Sequence, residues 1–98
     1  MRLSKKVINI LQDNIIKSFG DVNIYLFGSR TDDTKKGGDI DIAIDTNLSR
    51  QDFRKKKSLL LANLIRADFD YDIDVVNYNT NDELLYNEIR DNNIQINY

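Results

Sequence analysis

The stretch Asp39-Ile-Asp41-Ile-Ala-Ile-Asp45 constrains this 98-residue chain most. Its side chains alternate with a period of two, so it reads as a strand with Asp39, Asp41 and Asp45 on one face and Ile40, Ile42 and Ile44 on the other. The isoleucines need a core. Asp39 and Asp41, two residues apart on that face, repel each other unless a cation lies between them.

A second strand must come first. Val22 to Phe27 carries Tyr25 and β-branched neighbours and ends in Gly28-Ser29, a sharp turn that lets the backbone approach a ligand closely. If Ser29 opens a helical turn, its N–H groups and hydroxyl suit the outer phosphates of a nucleoside triphosphate. Gly-Ser is also common in plain turns, and alone the pair says little. Arg30, Lys35 and Lys36 in the following link could neutralise phosphate charge or be solvated loop cations. Gly37-Gly38 could free the chain to deliver Asp39, or could equally be a flexible turn and nothing more.

Around this pair the periodicity predicts helices and one or two further strands. Ser4 caps a helix to about Phe19, with Val7, Ile8, Leu11, Ile15 and Phe19 at helical spacing and Gly20 as the stop. Ser49 and Asp52 resemble a capping box that opens a helix to about Ala67. Its inner face is expected to be Phe53, Leu60, Leu61, Leu64 and Ile65, with Arg50, Arg54, Lys55, Lys56 and Lys57 in solvent. Tyr71 to Tyr78 is a third strand. Thr80 and Glu83 form another capping box before a helix through about Arg90 with Leu84, Leu85 and Ile89 inward. Residues 94–98 could add a short edge strand. The expected fold is α/β (α+β): a small mixed β-sheet covered by helices on one face, in a single domain spanning residues 1–98. The link of about eleven residues between the first two strands allows antiparallel pairing or a one-turn helix.

Composition narrows the chemistry. There is no Cys and no His, which removes disulfides, thiolate metal sites, His-based zinc and the hydrolytic triads. A metal must then be held by oxygen, which favours Mg2+ or Mn2+. A net charge of -2 gives no general attraction to nucleic acid or to an anionic membrane. No apolar run approaches a membrane span and no signal-type leader is evident, so a cytoplasmic location is expected.

With 14 Asp among 98 residues, about two D-x-D matches arise by chance, so the bare motif carries little weight. Position carries more. Asp is disfavoured in strands, and two on one face beside a Gly-Ser turn are better explained by a metal. A two-metal phosphoryl site needs a third acid nearby. Asp68, Asp70, Asp72 and Asp74 share one parity. Asp74 lies within the third strand among Ile73, Val75 and Val76, where an unpaired carboxylate would be costly to bury. It is the expected third ligand and a candidate general base, with Asp72 as fallback.

Phe27-Gly-Ser-Arg30, then Asp39-Ile-Asp41, then Asp72-Ile-Asp74-Val-Val-Asn-Tyr78 together resemble the minimal nucleotidyltransferases of the polymerase beta superfamily. The resemblance runs from Tyr25 to Tyr78. It implies that Gly28 and Ser29 bind the nucleotide, with Arg30 as the adjoining candidate phosphate contact, and that Asp39, Asp41 and Asp74 bind two Mg2+ ions and carry the catalysis. It implies ATP as substrate and AMP transfer to a hydroxyl acceptor, a tyrosine of a HEPN-domain toxin, by an antitoxin. Where many members have Arg-Ala-Arg-Gly after the Ser, this chain has Arg30-Thr-Asp-Asp33, with one positive charge fewer and two negative charges more. An inactive antitoxin that neutralises its toxin by binding alone is the alternative, and a small-molecule nucleotidyltransferase is a third. So small a domain has no obvious second half to hold the acceptor, which a partner protein or a homodimer could supply.

Overall fold

The computed structural model describes residues 4–28 and 40–97. Its elements are α1 (Lys5–Phe19), β1 (Asn23–Phe27), β2 (Ile40–Asp45), α2 (Arg50–Arg66), β3 (Ile73–Asn77), α3 (Glu83–Asp91) and β4 (Asn93–Gln95). The strands form one mixed sheet in the order β3-β2-β1-β4. β1 pairs antiparallel with both β2 and β4, and β2 pairs parallel with β3. The link from β1 therefore returns the chain antiparallel, whereas the parallel pair needs the crossover that α2 provides.

Local chemistry sets the helix ends. Ser4 and Ser49 accept hydrogen bonds from the backbone N–H groups of Val7 and Asp52, capping α1 and α2 as their spacing predicts. Gly20 ends α1 with φ 86°. α3 differs from expectation. Its cap is Asp82, whose carboxylate accepts from Leu85 N, while the Thr80 hydroxyl accepts from Asp82 N one turn earlier. Asp accepts more strongly than Thr at a helix start because of its charge.

The alternation in β2 divides the molecule in two. Ile40, Ile42 and Ile44 are fully buried with Ile24, Leu26 and Val75 from the other strands, under Leu11 and Ile15 of α1 and Phe53, Leu60 and Leu64 of α2. Burying each such side chain contributes about 1.5–3 kcal/mol. The two helices are also joined by Asn63 Nδ2, which donates to Ser18 Oγ at 3.2 Å. On the opposite face lies a smaller cluster of Phe27, Ala43 and Ile89, flanked by Tyr25, Val76, Tyr78 and Leu85. So α1 and α2 cover one face as expected, but α3 lies against the other, because its Ile89 and Leu85 meet the apolar residues of that face.

Two apolar residues expected inside are outside. Ile65 is 75% and Leu84 is 83% exposed. Each adjoins a residue that does face inward, Leu64 or Leu85, and a helix turns about 100° per residue, so neighbours cannot share one face. No helix among the described residues is long and apolar enough to cross a membrane.

Candidate functional site

β1 is followed directly by Gly28, which takes φ 75°, a conformation that costs an L-residue energy. A Cβ at this position would run into Asp41 Oδ2 and would lie 3.3 Å from Asp41 Cγ. The glycine is therefore what allows the turn to rest against the Asp41 carboxylate. Ser29, Arg30, Lys35, Lys36 and Asp39 lie outside the described residues, so Gly28, Asp41 and Asp74 are the expected site residues whose surroundings can be stated.

The structure brings these three together. Asp41 faces Phe27 across the β1–β2 pairing, next to Gly28. Across the parallel pairing on its other side, its direct partner is Asp74. Neighbouring strands lie about 4.8 Å apart and paired residues point to the same face, so the two carboxylates rise side by side. Asp72 lies two residues further out, beyond the last pair, Ile40 with Ile73; its carbonyl oxygen accepts from Ile40 N at 2.9 Å. The register thus makes Asp74, rather than Asp72, the neighbour of Asp41.

Asp74 is not an acid that burial would penalise. Its side chain is 58% exposed, because β3 is an edge strand, and Lys57 Nζ of α2 lies 4.0 Å from its Oδ1. Lys57, expected to be fully solvated, is half-buried. Its spacing could have shown this. Position 57 falls on the stripe of Phe53, Leu60 and Leu64, four residues after the first and three before the second.

Among the described residues no three acidic side chains gather as a metal group. Asp41 and Asp74 are two of the expected three, and the third, Asp39, is undescribed. The donor set still fits a hard divalent cation: two like charges in adjacent register, oxygen ligands only, and one carboxylate open to solvent.

Further along the same face the acids give way to aromatic rings. Tyr25 and Tyr78 lie with centroids 4.8 Å apart, Tyr86 meets Tyr78 edge-on at 6.1 Å, and the Arg90 guanidinium sits 5.4 Å over the Tyr86 ring. Burial pushes the Tyr25 phenol above its ordinary pKa, and the negative charge of Asp45 and the neighbouring Tyr78 add to the effect. Asp45 itself accepts from Asn79 Nδ2 at 2.6 Å. A separate cleft of about 390 Å³ opens at the carboxyl ends of β2 and β3, between Leu48, Arg50, Phe53, Asn77 and the start of α3. No expected site residue lines it.

Comparison with known proteins shows the same fold. A toxin–antitoxin crystallised with AMP-PNP superposes with a TM-score of 0.68 at 22% identity, covering 91% of this chain and 71% of the other. A protein from Shewanella oneidensis gives 0.60 at 23% identity over 95% of this chain and 71% of its own. The toxin–antitoxin MntA-HpeT mutant Y104A gives 0.55 at 26% identity over 92% and 67%. Among curated proteins none matches the chain in sequence. The family model described as "Polymerase beta, Nucleotidyltransferase" matches residues 5–97, nearly the whole length, and the chain belongs to that nucleotidyltransferase family.

Proposed function

We propose that the chain is a Mg2+-dependent nucleotidyltransferase that moves AMP from ATP to a hydroxyl of a partner protein, a tyrosine of a HEPN-domain toxin, and so acts as an antitoxin in the cytoplasm. The observation that carries this reading is the placement of Asp41 and Asp74 as direct cross-strand partners beside Gly28. Family membership supplies the reaction class. Two solved structures with the same fold are toxin–antitoxin complexes, one of them with AMP-PNP, which favours a toxin partner and an adenine nucleotide.

Each residue then has a role. Gly28 gives the triphosphate close access to the backbone, with Ser29 and Arg30 donating hydrogen bonds to its oxygens. Asp39, Asp41 and Asp74 would hold Mg2+, which would supply neutralisation of phosphate charge and a lowered pKa for the attacking hydroxyl. Asp74 accepts the hydroxyl proton. The acceptor oxygen forms its bond to the α-phosphorus as the bond to the bridging oxygen breaks, and pyrophosphate leaves. The product is an AMP–tyrosine ester.

The test is to incubate the purified chain with α-labelled ATP, Mg2+ and the product of the neighbouring gene. Label is expected on the partner, and Asp41→Asn or Asp74→Asn should abolish it. A partner that stays unlabelled but is neutralised equally well by wild type and both variants would overturn the catalytic reading in favour of inhibition by binding alone.

A further inference from the structure

The proposed metal site has a cation of its own nearby. Lys57 is one of a basic run, Arg54-Lys55-Lys56-Lys57, whose charges would ordinarily point to water. Phe53, Leu60 and Leu64 fix α2 against the sheet, and that fixes the root of residue 57. From there the side chain is only 34% exposed and its ammonium reaches 4.0 Å from Asp74 Oδ1. Lys55, on the other side of the helix, is exposed, and so is Arg54.

We infer that Lys57 is a tethered counter-ion that competes with divalent metal for Asp74, and so holds down the metal affinity of the site. The inference rests on the reading of Asp74 as a metal ligand. Its physical basis is charge. Asp41 and Asp74 stand in adjacent register and repel each other. A cation against Asp74 relieves that repulsion, and a single carboxylate cannot give its full charge to both an ammonium and a metal ion. An ammonium on a flexible four-carbon stem can withdraw, which a fixed guanidinium fork does less readily. Lys57 therefore lowers the affinity without blocking the site. The ammonium does not touch the reacting atoms in this account; it acts through Asp74 and is a positioning residue.

Mn2+ binding to the purified, nucleotide-free chain, read from the electron paramagnetic resonance of free Mn2+, separates the possibilities. Lys57→Met keeps the apolar stem and removes the charge. It should tighten Mn2+ binding by about two- to fivefold, the range that an ion pair of this exposure commands. Lys57→Arg keeps the charge and should stay at or below wild-type affinity. Asp74→Asn should weaken binding by on the order of tenfold or more. Unchanged or weaker binding in Lys57→Met, with Asp74→Asn impaired, overturns the counter-ion and leaves Asp74 as a ligand. Unchanged binding in Asp74→Asn overturns both. Far-UV circular dichroism matching wild type confirms that each variant is folded.

Discussion

Gly28 lies so close to the Asp41 carboxylate that a single added carbon at its Cα would overlap it. Two penalties thus meet at one position, a positive φ and a side-chain collision. Gly28→Ala should lower unfolding free energy by about 1–3 kcal/mol and reduce nucleotide transfer well beyond what that instability explains. Gly20 is the control. Its φ is +86° but a Cβ there meets nothing within 4 Å, so Gly20→Ala should cost about 1–2 kcal/mol and leave transfer intact. Urea melts and transfer assays on the two variants distinguish the cases.

The chain's last described residues brace the strand that runs into Gly28. Ile24 N donates to Asn97 Oδ1 at 2.7 Å, and Asn97 Nδ2 donates to Val22 O at 2.6 Å. Asn97 is 8% exposed, so water does not replace it readily. Asn97→Ala leaves the Ile24 N–H unsatisfied and should cost about 1–3 kcal/mol. Thermal melting should record this as a fall of roughly 4–8 °C per kcal/mol for a domain of this size.

The start of α3 offers a comparison of two candidate caps. Asp82→Ala removes the carboxylate that accepts from Leu85 N and should destabilise by about 0.5–2 kcal/mol. Thr80→Ala loses only a turn bond to Asp82 N and should cost less than Asp82→Ala. Chemical denaturation of both variants ranks them; equal losses would contradict the assignment of the cap.

Tyr25 makes stability sensitive to alkali. Its phenol is held protonated by burial, then by Asp45, then by Tyr78. The folded pKa is above the unfolded value of 10.0, so between the two the folded chain binds more protons. This contribution is fully present below pH 10 and is lost as the pH rises through the folded pKa. Asp45→Asn removes one of the three causes and should bring Tyr25 titration closer to its ordinary range. Absorbance at 295 nm during alkaline titration, with Tyr25→Phe to assign the signal, checks this.

Much of this architecture can be read from local pattern. The alternation of β2 separates its isoleucines from its acids, the serines mark two helix starts, and parity puts Asp74 on the acidic face. What pattern alone does not provide is long-range. That Asp41 pairs with Asp74 rather than Asp72 depends on the register across a crossover of more than twenty residues, set by how α2 packs. Exposure also depends on strand order: Asp74 reads as interior by its Ile and Val neighbours, yet β3 is at the edge. Leu84 and Ile65 read as inward because each belongs to an apolar pair of which only one member can face the sheet. Lys57 hides within a basic run although its spacing matches the buried stripe.

The strand order has one more result. Among the described residues no strand pairs with β3 on its outer side, so Asp74 stands at the rim of the sheet instead of at the bottom of a cavity. A pocket limits its visitors by volume, but a rim does not. As far as the described residues go, a side chain protruding from a folded macromolecule can approach this carboxylate from beyond the edge of the sheet.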